Sequence, residues 1–145
     1  MLNSIIAREN LASRCFLFIE RYFKVKFTRK SYDNENLRLF FKFHWITGDP
    51  ISVALVIMRE KYWHITHIAT HENFRDRNHA SRLIKKIIKR GKKAQIDYIS
   101  CNIRETNIVS RVFFERFGFS EVPLDCLPKS AKVKEGFHFY QLKFK

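Results

Sequence analysis

The sequence predicts an α+β fold with a mixed, mostly antiparallel central sheet flanked by helices. Three observations predict it. Strand-like runs follow one another between Leu37 and Thr70 with only short polar connections, the pattern of an antiparallel meander. A strongly amphipathic helical stretch, Ala80–Lys92, then precedes another strand-like run, which can return by a crossover and pair in parallel. Finally, 145 residues of which 46% are hydrophobic suffice for a single core,.

Each element has its own local reason. Asn10–Phe23 reads as a helix, because Leu11, Cys15, Phe18, Ile19 and Phe23 recur at three- and four-residue steps,. Any strand ahead of this helix would have to be the short Ser4–Ala7. Lys24–Asn36 reads as a loop, with Ser31, Asp33, Asn34 and Asn36 as turn residues,. Leu37–Ile46 is an aromatic strand closed by the turn Thr47-Gly48-Asp49-Pro50,. Ile51–Arg59 is almost wholly apolar, as a strand covered on both faces should be,. Tyr62–Thr70 is the third strand and Asp97–Arg104 the fourth, the latter expected to lie parallel to Tyr62–Thr70. Asn107–Phe117 is a second amphipathic helix ended by Gly118,. A short strand Phe119–Val122, a loop Pro123–Gly136 and a last strand Phe137–Phe144 complete the chain. No repeat or linker interrupts it, so residues 1–145 are expected to form one domain.

Composition excludes several classes. No apolar run is long enough to span a bilayer,. Arg8, Glu9, Arg14, Glu20 and Arg21 break up any signal-peptide core, so a cytoplasmic protein without membrane attachment is expected,. Cys15, Cys101 and Cys126 are odd in number and widely spaced, which predicts reduced thiols and no metal site,. The net charge is +14, and residues 75–93 alone carry nine basic and one acidic side chain. Such a concentration points to an anionic partner near that helix, with nucleic acid included, or to a solubilising face.

Two stretches carry chemistry. In the first, Arg75-Asp76-Arg77-Asn78-His79-Ala80-Ser81 lies between a strand and a helix. A helix start exposes unpartnered N–H groups and partial positive charge, a ready seat for phosphate. In the second, Asn107–Phe119 reads Asn-Ile-Val-Ser-Arg-Val-Phe-Phe-Glu-Arg-Phe-Gly-Phe. The two together resemble the GNAT-type N-acetyltransferases, whose turn reads Arg/Gln-x-x-Gly-x-Gly/Ala. Their following helix reads Asn-x-x-Ala-x-x-Phe-Tyr-Glu-Lys-x-Gly-Phe. Arg75, Ala80, Asn107, Phe113, Glu115, Gly118 and Phe119 match. Asn78 stands in place of the first glycine, and it is the non-glycine residue most at ease with positive φ,. The resemblance covers roughly residues 36–144.

The resemblance implies an acyl-CoA N-acyltransferase fold with a V-shaped splay between two central strands and acetyl-CoA as co-substrate. The pantetheine arm would run along Ile68, Ala69 and Thr70, and the pyrophosphate would sit on the N–H groups of Arg75, Asp76, Arg77, Asn78, His79, Ala80 and Ser81. Asn107 and Ser110 would flank the arm, with Phe113 and Phe114 near the thioester. Counting back from Arg75, the residue at the position of the family's glutamate base is His64, the candidate general base. His67, three residues on, should point to the opposite face of a regular strand. Phe114 stands where many members carry a tyrosine that protonates the departing thiolate; Tyr98 and Tyr140 are the possible substitutes.

The implied activity is acetyl transfer from acetyl-CoA to a primary amine of a small molecule or protein, by direct attack in a ternary complex. Two alternatives stay open. The acceptor amine is carried on a nucleic acid such as an aminoacyl-tRNA, engaging the basic helix 82–93. Or Asn78 and Phe114 mark a domain that binds CoA without turnover.

Overall fold

Leu37–Phe43 (β1), Pro50–Met58 (β2) and Tyr62–Thr70 (β3) form the expected antiparallel meander. They belong to a six-stranded sheet completed by Tyr98–Arg104 (β4), Ser120–Glu121 (β5) and Phe137–Lys143 (β6), in the order β1-β2-β3-β4-β6-β5. Among the described residues only the β3–β4 pair is parallel. The α-helices among the described residues are Leu2–Phe23 (α1), His79–Lys93 (α2) and Ile108–Glu115 (α3). This computed structural model describes residues 2–24 and 36–145, with side chains from residue 13 onward. The loop expected at Lys24–Asn36 therefore lies almost wholly outside the described residues.

Two departures from expectation concern element ends. Ser4–Ala7 is not a strand; it lies inside α1, which starts at Leu2. The sheet thus begins after the helix rather than before it. β1 stops at Phe43 rather than Ile46 because the chain turns at His44: the His44 N–H donates to Asp49 O at 2.9 Å and the Gly48 N–H to His44 O at 2.8 Å. Gly48 supplies the positive φ of +71° that this turn needs,. Trp45 and Ile46 are left on the outside of the turn, 88% and 69% exposed.

The sheet is covered on both faces, which is why β2 reads as an unbroken apolar run,. On one face Cys15, Phe16 and Ile19 of α1 pack on Val53 and Leu55. On the other, Leu83, Ile84 and Ile87 of α2 and Phe114 of α3 pack on Ala54, Val56, Ile65, Ile99, Cys101 and their neighbours. Gly91 of α2 sits against Ile96, Ile99 and Phe144, where any Cβ would come within 3.0 Å of Ile96 Cδ1. The helix can approach the sheet there because that position has no side chain. All three cysteines are free, Cys15 and Cys101 buried and Cys126 exposed. Among the described residues, no helix is long and apolar enough to cross a membrane.

A candidate acyl-CoA site at the splay of two strands

The feature that builds the site is an interruption in β3. Leu55 pairs with His67 but Val56 pairs with Ile65, so Thr66 is an extra residue in the strand, a β-bulge,. Its hydroxyl donates to Leu55 O at 3.1 Å. Parallel pairing with β4 runs from Tyr62–Tyr98 only to Ile65–Cys101 and stops at the bulge. A bulge bends a strand and increases its twist. Past it β3 no longer pairs with β4, and among the described residues the β4-facing backbone edge of residues 66–70 has no strand partner.

The same bulge resets the alternation of side chains. His67 lies opposite Leu55 and His64 opposite Ile57, positions two apart on β2. Both histidines therefore point to the α1 face of the sheet, contrary to the expectation that they point to opposite faces. An extra residue adds one to the count of a period-two pattern, and the sequence carries no sign of it.

Two cavities open along the splay. One, of about 460 Å³, is lined by Ile68, Ala69 and Thr70 of β3, by the turn leading into α2, and by Ser110, Phe113 and Phe114 of α3. Arg75, Asp76, Asn78, His79, Ala80 and Ser81 all belong to its wall. The other, of about 480 Å³, is lined by residues 65–68 of β3, residues 101–104 of β4, Asn107, Lys134 and Phe137. Ile68, Ser110 and Phe114 line both, so the cavities adjoin at the mouth of the splay. The structure thus brings together every proposed cofactor-contacting residue except Arg77, whose guanidinium lies over the Phe74 ring at 5.7 Å instead.

The turn before α2 is left-handed at two positions. Asn78 takes φ 61° and ψ 21°, and Asp76 φ 61°, both left-handed. No side chain caps the helix, so the N–H groups of its first turn have neither an intrahelical nor a side-chain acceptor,. Desolvation, and then the positive charges of Arg82, Lys42 and Arg77, hold the His79 pKa below the ordinary imidazole value. Arg75 is fixed by donating from Nε to Thr70 O at 3.4 Å, with its guanidinium 5.6 Å above the Tyr22 ring.

The remaining candidates have more structural settings. Asn107 Oδ1 accepts the Ser110 N–H at 3.1 Å, so this side chain caps α3,. Phe114 is buried between Phe113 and Phe119. His64 sits at the closed end of the splay, lining neither cavity; its Nδ1 is 2.8 Å from Ser100 Oγ and its ring stacks on Phe139. Burial pushes its pKa down to about 4, so it is neutral at physiological pH. His67 faces the second cavity, and burial lowers its pKa too. His71 accepts the Asn73 N–H at 3.1 Å and caps a 3-10 turn. Among the described residues, no group of three or more histidine, cysteine, aspartate or glutamate side chains is arranged to hold a metal ion. Tyr98 stacks on Tyr62 at the closed end of the strand pair, away from the mouth. Tyr140 lines a small separate cleft with His138 and Glu121.

Sequence reasoning missed the contribution of α1. Its last turn delivers Tyr22 to the first cavity and Phe23 to the second, where the Phe23 ring meets His67 edge-on at 4.8 Å. The aromatic residues at the helix end were the available signal; helical periodicity put Phe23 on the apolar face and did not include Tyr22.

Comparisons with known proteins agree with this architecture. Among curated proteins no sequence matches this chain. Solved structures do. An acetyltransferase of the GNAT family from Staphylococcus aureus superposes with a TM-score of 0.75 at 18% identity, covering 94% of each chain. The ribosomal-protein-S18-alanine N-acetyltransferase from Escherichia coli gives a TM-score of 0.71 at 14% identity, covering 91% of this chain and 86% of that one. A GNAT family acetyltransferase from Elizabethkingia anophelis with acetyl-CoA bound gives 0.61 at 13% identity, covering 80% and 83%. At these identities the likeness is one of fold. The family model described as Acetyltransferase (GNAT) family matches residues 7–119, including both stretches singled out above, and the chain belongs to that family.

Proposed function

We propose that this protein is an acetyl-CoA-dependent N-acetyltransferase that acetylates a primary amine by direct attack in a ternary complex. The observation that carries the reading is the continuity of one cavity wall. The unpaired edge of β3 beyond Ile65 leads directly to the uncapped start of α2. An extended pantetheine arm can add to such an edge as a strand would, and a pyrophosphate fits the exposed N–H groups at its end. The cofactor-bound relative from Elizabethkingia supports acetyl-CoA as the donor.

In the reaction the neutral amine attacks the thioester carbonyl carbon, a C–N bond forms, the C–S bond breaks, and the amine proton passes to a base. His64 is our candidate for that base. It is held neutral, so it can accept a proton at pH 7. A conjugate acid near pH 4 makes it a weak one, at the low end of the roughly 10²–10⁴-fold that general bases supply. It also lines neither cavity, so a water would have to bridge it to the amine. Phe114 has no proton to give. A thiol with an ordinary pKa near 8.5 leaves as thiolate without assistance at an acceptable cost.

The test is acetyl-CoA turnover over a panel of amines, with wild type beside His64→Ala. Acetylation of at least one amine, with CoA released in equal amount, is the expected result. Tight acetyl-CoA binding with no transfer to any amine would reject catalysis and leave a binding domain.

A further inference from the structure

Outside the cofactor site, the most unusual surface is the solvent face of α2. Seven basic side chains lie between Arg82 and Lys93, and every one is exposed. Among the described residues none of them forms an ion pair; the ion pairs present lie elsewhere, at Arg111, His138 and Lys145. Pairs such as Arg82 and Lys86, or Lys85 and Lys89, stand one turn apart and repel, so this helix carries a charge pattern that its own stability disfavours,.

The stripe continues onto the sheet edge. Arg90 lies over the Phe40 ring at 5.3 Å, which joins α2 to β1. Arg38 and Lys42 flank Phe40 on the same face of β1, and both are exposed. At the other end, His44 packs on Phe74, whose ring also meets His79 at the start of α2. The next residue, Trp45, is 88% exposed. An uncovered indole thus lies one residue along the chain from His44, at the end of this line of cations.

We propose that this face binds a single-stranded nucleic acid, with its phosphates along α2 and β1 and a base stacked on Trp45. Three features favour that partner. A helix of 15 residues is about 22 Å long, enough to follow several successive phosphates,. Its apolar side is already buried against the sheet through Leu83, Ile84 and Ile87, so it has nothing left to insert into a bilayer,. For the same reason it lies flush with the surface and does not project as a helix that enters a duplex groove must. An exposed aromatic ring beside a cationic track is the usual platform for unpaired bases.

The test uses fluorescence anisotropy with a labelled single-stranded RNA of about a dozen nucleotides, without acetyl-CoA, so that its outcome is independent of the acetyltransferase reading. With about five phosphate contacts, affinity should fall roughly 100-fold between about 50 and about 200 mM salt. The triple variant Lys85→Glu, Lys86→Glu, Lys89→Glu should abolish binding, and Lys85→Gln with Lys89→Gln should weaken it by an intermediate amount. Both lie away from the cofactor turn and should keep wild-type acetyl-CoA affinity, which also reports their folding. Trp45→Ala should weaken binding about tenfold. No binding at low salt, or binding indifferent to the lysine substitutions, overturns the proposal. So does binding to phosphatidylserine vesicles with none to RNA. Unchanged affinity in Trp45→Ala, or a preference for duplex, overturns the assignment to a single strand.

Discussion

Replacing His64 with asparagine removes a titratable ring while leaving an amide near the position of Nδ1, within reach of Ser100 Oγ. In the folded protein burial depresses the imidazole pKa to about 4 from its ordinary 6.5. Between those values the unfolded chain takes up a proton that the folded chain refuses. The contribution of His64 to stability is therefore intact above about pH 6.5 and is lost as pH falls towards 4. The gap corresponds to about 3 kcal/mol once both values are passed, and to about 2 kcal/mol by pH 5. Urea unfolding of wild type and His64→Asn at pH 7.5 and pH 5 measures this directly. Wild type should lose about 2 kcal/mol more than the variant over that interval, a difference of about 1 M in urea midpoint. The depressed His67 is present in both proteins and cancels in the comparison. Parallel losses in the two proteins would refute the reasoning, because His64 would then be exposed enough to protonate without penalty. The same variant addresses catalysis at pH 7.5. A base role predicts a loss of about 10²-fold in kcat with little change in acetyl-CoA affinity; unchanged kcat would make His64 a structural residue.

Further expectations follow from the cofactor turn and the core. Arg75→Ala should raise the acetyl-CoA dissociation constant at least tenfold by calorimetry, since a charge-assisted contact contributes about 1.5–3 kcal/mol; unchanged affinity would remove Arg75 from the site. Asn78→Gly should fold as well as wild type, whereas Asn78→Val should cost about 1–2 kcal/mol in thermal unfolding, because a β-branched residue must adopt the φ of 61°,. Equal stability of the two would argue that the turn relaxes. Ile87→Ala, at a fully buried position of α2, should destabilise by about 2–5 kcal/mol in urea,.

Much of the candidate cofactor-binding wall was legible before folding, for a local reason. The strand, the turn and the head of α2 are contiguous in sequence, so residues 68–81 reach one cavity wall almost regardless of what the rest of the chain does. The amphipathic pattern of Ala80–Lys92 dictated which side of α2 would be buried, and Asn78 was readable as a positive-φ position. The meander between Leu37 and Thr70 was equally local, because short connections leave neighbouring strands little choice but to pair.

The rest of the site was decided by contacts between distant residues. The bulge at Thr66 exists only in the register between β2 and β3, yet it opens the splay and turns His64 and His67 to a common face. The end of α1 brings Tyr22 and Phe23 to the cavities across more than forty residues of chain. His64 became a weakly basic, buried imidazole only when Ser100 and Phe139 closed around it. Sequence determined which segments carry charge, periodicity and turn chemistry, since those depend on near neighbours. Tertiary structure decided which backbone edge stays unpaired and which titratable group loses its water, since both depend on what packs from elsewhere.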